Sequence, residues 1–554
     1  MKRIFFSLIA AAALFAACHP DAVVPTESSP TQETAVIFPD YTDVVIPKNI
    51  APLNFMVKNP GEEFVARLAT KDGKHEIVAS AADDGKIIFD PEEWKEILTA
   101  ASGSDLTLTL YSKQDVGGWA QHPDCTISVA PEDIDPYLTY RLIEPSYELY
   151  RQLGLYQRNL TNFEEVPIYE NNAEYEDDNN HCINCHAAQN YGETHRSLFH
   201  VRGEHGGTIF VHDGKAERLN MKCDSTLGNA VYPAWHPKEP WVVFSSNKTG
   251  QVFYMGHTDK IEVVDYGSDL IFYDVEHNKI SNVLKTNADM ETFPTWAPDG
   301  RTLYYCSARM PQMVAIPDSV TPTYRDSVAQ QVINKYYDQA FYNLMAVDFD
   351  PATRTFGEPR LVVDCEAFGH VVNDTTLALG VVPDSLGLVP PGGYIVKSKK
   401  VGSKSVTVPR VSPDGRWLLM TLGDFGQFHV WHSNSDLYLL DLKTEGAEPR
   451  RLDKANSPES ESFHNWSSNG RWIVFSSRRD DGNYTRPYIA YIDAEGRDHK
   501  AFLIPQEDPE QNLMRMKSYN VPELSRSAVN VTPQQFRDAI YVDDKTVKKV
   551  QYGK

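Results

Sequence analysis

Residues 293–307, FPTWAPDGRTLYYCS, decide the fold of this chain. Pro-Asp-Gly is a turn sequence, and the apolar residues on either side of it have the composition of strands. The same arrangement recurs in residues 232–246, 409–421 and 464–477, although the first copy has a weaker turn. Three segments supply the following strand of such units: residues 269–274, 343–348 and 436–441. Because one unit cannot bury both of its faces, the repeats predict a row of small sheets that stack on each other.

These repeats resemble the TolB-type β-propeller repeat, in which W-S-P-D-G precedes an apolar strand and then D-L-Y-x-x-D. The resemblance covers roughly residues 206–505 and implies a propeller of about five to seven blades, since the long interval between the second and third copies can hold another blade or an insertion. The fold alone gives no function. The sequence has no G-x-S-x-G motif, so it does not support a propeller-capped serine peptidase.

Residues 181–186, HCINCH, lie ahead of the repeats and contain the haem-attachment pattern C-x-x-C-H. Cys182 and Cys185 can form thioether bonds to the two vinyl groups of a haem, and His186 then lies where its imidazole can bind the iron. The pattern therefore predicts one covalent haem c. A structural zinc site is an alternative, although no second C-x-x-C pair is present to complete it. A redox dithiol or a plain disulfide is another alternative, although a thioredoxin-type dithiol is expected in a βαβ setting.

Several later residues could bind the sixth position of the iron. We favour His200, since it lies in the apolar stretch 198–201, where a neutral imidazole can meet a buried haem. The other candidates, in order, are His205, His195, Met221 and Met255. Any of these histidines could instead be an ordinary hydrogen-bonded residue. Arg196 and Arg202 are candidate partners for the haem propionates, because guanidinium groups pair well with carboxylates. An open sixth position would indicate ligand sensing or small-molecule redox chemistry.

Residues 1–17 have the order of a secretory signal peptide, with a basic start and an apolar run that is too short to span a bilayer. Residues 14–18, LFAAC, resemble a bacterial lipobox, which implies cleavage before Cys18 and acylation of that cysteine. Ordinary secretion without a lipid stays open as the alternative. We therefore expect a protein of the bacterial cell envelope, anchored to the membrane by lipid, that faces the periplasm or lies at the outer membrane or surface. Export agrees with the haem motif, because c-type haem is attached outside the cytoplasm.

The net charge of −23 argues against nucleic acid as a partner, because a phosphate-binding surface needs clustered lysine and arginine. Acidic residues gather in residues 164–178, just before the haem motif. Such a run is either a solvated surface or a docking rim for a basic redox partner. The pairing of four further cysteines stays open: Cys125, Cys223, Cys306 and Cys365. The densest polar cluster either forms a binding face or joins blades by hydrogen bonds, and it comprises His464, Arg478, Arg479, Asp480, Asp481, Tyr484 and Arg486.

The expected fold class is mainly β, in six successive regions. They are a signal peptide (1–17), a lipid-anchored tether (18–35), a β-sandwich with one helix near 91–101 (36–131), a haem-attachment segment of short helices and loops (132–205), the propeller (206–505) and an extension that packs on or closes the propeller (506–554).

The leading functional hypothesis is an exported monohaem c-type cytochrome that transfers single electrons, with the propeller as the surface on which redox partners dock. The alternative is an envelope scaffold or binding protein whose haem is structural or sensory. An enzyme is the weakest hypothesis, because the sequence shows no nucleophile or acid–base set.

Overall fold

The computed structural model describes residues 22–82, 84–115, 117–144, 152–171, 182–254, 259–284, 286, 289–309, 337–372 and 399–553. The signal peptide and the lipidation candidate Cys18 lie outside these ranges, as do His181 and Met255. Each helix among the described residues is too short or too polar to cross a bilayer.

The amino-terminal domain consists of two sheets and one helix around a common core. The larger sheet has seven strands: Ser28–Pro30, Val44–Pro47, Glu63–Thr70, Glu76–Ala81, Ser104–Gln114, Gly118–Gln121 and Cys125–Ala130. The smaller sheet has three: Ile37–Phe38, Phe55–Val57 and Lys86–Ile87. The strand Ser28–Pro30 pairs with Gly118–Gln121, so part of the predicted tether joins the edge of this domain.

The helix of this domain spans Pro91–Ala100, which confirms the expected helix. Its start follows from local chemistry: Asp90 accepts hydrogen bonds from the backbone N–H groups of Glu92 and Glu93, and Pro91 needs no N–H partner in the first turn. Trp94 is buried against the sheets and donates its indole N–H to the carbonyl of Ile50.

The rest of the described chain forms six blades, each with four antiparallel strands, which confirms the mainly β propeller. From the innermost strand outward, blade 1 contains Ser518–Ser525, Tyr137–Ile143, Gly154–Asn159 and Glu165–Glu170; blade 2 contains Cys182–Ala188, Ser197–Arg202, Gly207–His212 and Lys215–Asn220; and blade 3 contains Ala230–Trp235, Trp241–Phe253, Ile261–Asp274 and Lys279–Leu284. Blade 4 contains Asp289–Trp296, Thr302–Arg309, Asn343–Asp350 and Arg360–Val363; blade 5 contains Ser405–Val411, Trp417–Gly423, Asp436–Asp441 and Arg450–Arg451; and blade 6 contains Glu461–Trp466, Trp472–Ser477, Arg486–Tyr491 and Phe502–Leu503.

The carboxyl-terminal region closes the ring. Its strand Ser518–Ser525 pairs with Tyr137–Ile143, so blade 1 combines the start and the end of the propeller. The last residues then add a fifth, parallel strand to blades 2 and 3, through Lys548–Lys549 and Gln551–Tyr552. The shorter elements are the helices Gln511–Met514 and Pro533–Ile540, the 3-10 turns Gln189–Gly192, Tyr337–Gln339, Glu366–Phe368 and His429–Trp431, and the strands Thr355–Phe356, His370–Val372 and Lys399–Val401.

The haem motif lies inside the propeller rather than in a segment before it. Cys182–Ala188 is the innermost strand of blade 2, and described parts of residues 132–205 supply strands of blades 1 and 2. The expected short helix near residues 147–153 falls partly outside the described residues. The repeat signal fails in blade 2 because Ala188 occupies the position of the repeat tryptophan and a 3-10 turn, Gln189–Gly192, replaces Pro-Asp-Gly.

The sandwich and the propeller share one hydrophobic core. Side chains of blades 1 and 6, including Tyr140, Trp472 and Tyr519, are buried in the same cluster as Trp94 and Leu108 of the sandwich. Burial of this kind stabilises the docked arrangement, because apolar area is removed from water on both sides. The sandwich therefore supports blade 1, in which the ring closes, and the neighbouring blade 6.

Candidate functional site

All six innermost strands carry the same β-bulge, in which two residues oppose one residue of the neighbouring strand. The first residue of each bulge has a positive φ between 48° and 54°: Cys185, Tyr232, Phe293, Val408, Phe463 and Val521. All six line a single cavity of about 700 Å³ in the central channel. Cys185 of the haem motif therefore occupies a ring position that other blades fill with aromatic or valine side chains.

The second bulge residue is proline in four blades and histidine in two. A bulged residue need not donate to the strand ladder, so proline is tolerated there. The histidines are His186 in blade 2 and His464 in blade 6, and both line the cavity. The position three residues after the positive-φ residue is tryptophan in blades 3, 4 and 6 but Ala188 in blade 2. Smaller side chains at Cys185 and Ala188 leave room on the wall of blade 2.

The bulge brings both thiols of the haem motif to one cavity. In a regular strand, side chains three positions apart point to opposite faces, so Cys182 and Cys185 would be separated by the sheet. The ladder instead shifts register between Asn184 and Ala187, and Cys185 takes φ 54°. Cys182 and Cys185 consequently both line the channel cavity, where each is half-buried and neither forms a disulfide with another described cysteine.

The His186 imidazole lies on the same wall and is 8% exposed. It faces the backbone carbonyls of Val521 and Thr139, but neither ring nitrogen forms a hydrogen bond of normal geometry with the described residues. Burial, and after it the charge of the neighbouring Arg141 guanidinium, lower the pKa of His186 to about 4. The imidazole is therefore neutral at physiological pH, which is the form that binds iron.

Charged groups on the cavity wall are mainly cationic. Among the described residues they are Arg141, Arg202, Lys238, Arg410 and Glu523. Arg141 is buried and donates to the carbonyl of Ile183, whereas Arg202 is exposed. Glu523 accepts hydrogen bonds from the backbone N–H of Ala188 at 3.0 and 3.2 Å, and burial raises its pKa to about 7. Positive charge in this channel contrasts with the net charge of −23 for the whole chain.

One end of the channel is covered by the long hairpin that joins Trp241–Phe253 to Ile261–Asp274. Its residues Thr249, Gln251 and Val263 line the cavity. Next to Val263, Glu262 forms a buried hydrogen bond of 2.7 Å with His432, in a loop of blade 5, two blades further along the ring. The turns that follow the innermost strands line the other end, through Asn190, Pro237, Pro298 and Pro413.

The favoured distal ligand, His200, lies away from the channel. It is buried in the second strand of blade 2, its Nδ1 is 3.5 Å from Thr208 Oγ1, and it is not on the cavity wall. In the described chain the cavity wall holds two imidazoles, those of His186 and His464. Arg202 lines the cavity, but Arg196 instead donates to Gln189 Oε1 at 3.1 Å.

The remaining candidates also lie elsewhere. His195 is exposed, Met221 is in the core between blades 2 and 3, and the ring of His205 packs at a tilt against Tyr541. Closeness to the motif in sequence did not predict closeness to the cavity. These residues lie on the outer strands of the blade or in the loops beside those strands.

The polar cluster around His464 holds blade 6 together. Arg478 donates to the carbonyl of Trp431 at 3.0 Å, and Arg486 donates to the carbonyls of Asn512, Arg515 and Lys517. These bonds join loops and blades, as the structural alternative predicts. His464 is the member of the cluster that lines the channel.

The sequence analysis missed Arg141, Arg410 and Glu523. Arg410 and Glu523 occupy the same position of the bulge in blades 5 and 1, immediately after the proline, so an alignment of all six innermost strands would have placed them on the channel wall. Arg141 comes from a second strand, and no local pattern marks it.

Comparisons with known proteins assign no activity to this chain. Neither a protein-family model nor a curated protein matches the chain. Among solved structures it is similar to TolB from Acinetobacter baumannii, with 12% identity, 78% of this chain and 85% of that chain covered, and a TM-score of 0.39. A hypothetical selenium-binding protein from Sulfolobus tokodaii matches with 9% identity, coverage of 72% and 96%, and a TM-score of 0.35.

The tricorn protease is similar over 84% of this chain but only 44% of its own length, at 12% identity and a TM-score of 0.33. Similarity at this level transfers no substrate or partner.

The residues of the channel fit a haem. Two thiols face one cavity, and beside them lies a neutral imidazole whose ring nitrogens form no hydrogen bond of normal geometry with the described residues. The volume of about 700 Å³ lies within the range of small-molecule sites. The described residues contain no group of three or more histidine, cysteine, aspartate or glutamate side chains placed to hold a metal ion. A covalent haem needs no such group, since its iron takes one or two protein ligands.

Proposed function

We propose that this chain is an exported lipoprotein of the bacterial cell envelope that carries one covalent haem c in the channel of its propeller and transfers single electrons. The observation that carries the proposal is the meeting of Cys182, Cys185 and His186 on one wall of the cavity. A bound haem would supply a one-electron carrier that alternates between ferric and ferrous iron. The export signal, the lipobox-like residues before Cys18 and the haem motif support the same compartment.

Each part of the wall has a role in this proposal. Cys182 and Cys185 hold the group covalently, and His186 binds the iron as a neutral imidazole. The aromatic residues Tyr232, Phe293 and Phe463 surround it with apolar surface, which limits the access of water and thereby tunes the potential. The covered end of the channel leaves the opposite end, near Lys238, as the route for a redox partner.

The partner is proposed to be a basic protein of the envelope. The net charge of −23 favours association with a positively charged surface, at a rate that falls as salt screens the attraction. The outer face of the propeller and its rim would form the docking surface. Association without electron transfer would instead fit a scaffold.

The decisive experiment is expression of the full chain in a host that matures c-type cytochromes. The expected product gains the mass of one haem, retains haem stain after denaturation and shows a reversible reduced spectrum. Cys182→Ser with Cys185→Ser should abolish covalent haem. Cys125→Ser, which changes a half-buried cysteine of the sandwich, is the matched control and should retain it. A wild-type mass without haem refutes the proposal, and zinc in the purified chain or a disulfide between Cys182 and Cys185 would assign the motif to an alternative.

A structural or sensory haem is the second candidate, and the covered channel favours it, because a deeply enclosed iron exchanges electrons slowly with a docked protein. Redox titration separates the two. A reversible six-coordinate, low-spin spectrum supports the electron carrier. A haem that stays in one oxidation state supports a structural role, and one that binds carbon monoxide supports a sensor.

Membrane anchoring is tested separately. Cys18→Ala is expected to move the protein from the membrane fraction to the soluble fraction without changing its haem content. Unchanged fractionation would support ordinary secretion.

A further inference from the structure

We propose that the long hairpin of blade 3 is a lid that opens to admit the ligand of the channel, and that the Glu262–His432 pair is the latch that holds it closed. In a chain that carries haem, the lid deepens the proposed function, because it names the end of the channel at which haem enters. The opening itself does not depend on haem, since it is a property of the hairpin and its contacts.

The moving part is the outer half of the hairpin, residues 247–254 and 259–268, which we call the ribbon. In blade 3 the innermost strand pairs with its neighbour only as far as Ser246, and the outermost strand pairs only as far as Leu270. Among the described residues, the two strands of the ribbon therefore pair only with each other. A two-stranded ribbon has little stability of its own, so contacts with other parts of the protein hold it in place.

A β-bulge lies where the ribbon leaves the blade. The register of its two strands shifts between Lys248 and Thr249. On the opposite strand Asp265 is buried, and it accepts hydrogen bonds from the hydroxyl groups of Ser268 at 2.8 Å and Tyr342 at 3.1 Å. These bonds fix the base of the ribbon, and a bulge is a point at which a pair of strands bends. The bulge is therefore the hinge about which the rest of the ribbon moves.

The ribbon crosses the channel toward the opposite side of the ring. Thr249, Gln251 and Val263 line the cavity near its base. Further along, Lys260 donates from Nζ to Oδ1 of Asn483, which lies in a loop of blade 6. Because blade 6 is opposite blade 3 in a ring of six, the ribbon spans this mouth of the channel.

Two hydrogen bonds to blade 5 hold the ribbon down. His432 donates from Nε2 to Oε2 of Glu262 at 2.7 Å, and the backbone N–H of Ser433 donates to Oδ1 of Asp259 at 3.2 Å. The side chains of His432 and Glu262 are only 3% and 5% exposed. Loss of one partner from such a buried pair leaves the other without compensation, which costs more than loss of an exposed contact. The Glu262–His432 pair is therefore the latch.

The first test measures opening without any ligand. Hydrogen exchange of the ribbon amides is followed in the full-length chain with Cys182→Ser and Cys185→Ser. Glu262→Ala should speed this exchange about tenfold or more, and it should leave the strands of blade 3 below the bulge unchanged, because the latch acts on the ribbon alone. Glu276→Ala is the matched control, since it removes an exposed carboxylate from the outer turn of the same blade. Ribbon exchange that is the same in both variants overturns the inference.

The second test locks the lid. Asp259→Cys with Ser433→Cys, in the same background, places two thiols where a side-chain oxygen now meets a backbone N–H. Oxidation closes the lock and reduction opens it, so each sample is its own control. Haemin is the probe, and absorbance follows its association. The rate should fall about tenfold or more on oxidation and recover on reduction, because a closed lid excludes the ligand. Equal rates would show that the probe enters at the other end, and they would overturn the inference.

Failure of the lid and failure of the proposed function give different results. Unchanged exchange and equal association rates, in a protein whose wild type carries haem, reject the lid and leave the electron carrier intact. A wild type without haem, in which ribbon exchange still depends on Glu262, retains the lid and rejects the electron carrier.

Discussion

Blades 2 and 6 place a histidine at the same point of the same bulge, yet the two imidazoles differ in their hydrogen bonds. His464 bonds the carbonyl of Leu419 at 3.1 Å and the hydroxyl of Thr421 at 3.3 Å, both on the second strand of blade 5. His186 is oriented toward blade 1 in the same way, but it makes no hydrogen bond of normal geometry with the described residues. The two blades share the backbone conformation of the repeat, but the side chains around the two imidazoles differ.

Strand register explains the difference. Asn520 pairs with Arg141 in blade 1 as Thr407 pairs with Thr421 in blade 5, so a guanidinium stands where His464 finds a hydroxyl. Because Nε2 of His464 donates to the carbonyl of Leu419, its Nδ1 accepts from the Thr421 hydroxyl. The Arg141 guanidinium instead donates to the carbonyl of Ile183, and its charge contributes to the lowered pKa of His186. The same repeat position thus holds a histidine with two hydrogen bonds in blade 6, whereas the histidine of blade 2 has none of normal geometry with the described residues.

The two blades also differ in side-chain volume. Trp466 of blade 6 donates its indole N–H to the carbonyl of Arg410, a bond that Trp235 and Trp296 repeat in blades 3 and 4. Blade 2 has Ala188 at this position and Cys185 in place of Phe463. Blade 2 therefore has smaller side chains than blade 6 at these two positions.

The largest expected effect comes from removing each imidazole in the chain without haem. His464→Ala should lower the free energy of unfolding by about 3 kcal/mol, because it leaves a cavity and unpaired partners, and His186→Ala by roughly half as much. Denaturant unfolding of both variants in the Cys182→Ser, Cys185→Ser background measures the difference. Equal losses would contradict the comparison.

The next effect tests what the two histidines share, which is burial. Both have folded pKa values below the ordinary 6.5, about 4 for His186 and about 3 for His464, and burial is the main cause. Between the folded and the unfolded pKa, each histidine is protonated in the unfolded chain and neutral in the folded chain. The free energy of unfolding is therefore highest above pH 6.5 and decreases as the pH falls below that value.

Acidification from about pH 7.5 to about pH 5 should cost about 2 kcal/mol for each ring, and replacement of either histidine by glutamine should remove that share. Melting temperatures of the haem-free chain across this range provide the measurement. Acid sensitivity that survives both replacements would show that other groups control it.

The smallest effect isolates one hydrogen bond. Thr421→Val removes the hydroxyl beside His464 and makes that ring resemble His186, at a cost of about 1 kcal/mol. In the His464→Ala background the same change should be nearly neutral, which a double-mutant cycle measures. A full cost in both backgrounds would place the role of Thr421 elsewhere.

Much of the fold was predictable because its signals are local. The Pro-Asp-Gly turn of residues 298–300, with an apolar strand on each side, is specified by neighbouring residues, and the helix Pro91–Ala100 starts where Asp90 caps it. Blades 1 and 2 were missed because their innermost strands lack the tryptophan and the turn of the repeat. The closing strand Ser518–Ser525 has no local mark either, since its partner lies at the opposite end of the propeller.

The sequence by itself determined the repeat fold and the chemistry of Cys182, Cys185 and His186, because turn residues and a C-x-x-C-H pattern act over a few positions. Only the tertiary structure decided that these three residues lie in the channel and which side chains surround them. The bulge turns Cys185 into the channel, and closure of the ring brings Arg410 and Arg141 to the same cavity. Those contacts depend on strand register and on blades that are distant in sequence, and no short pattern of residues encodes either.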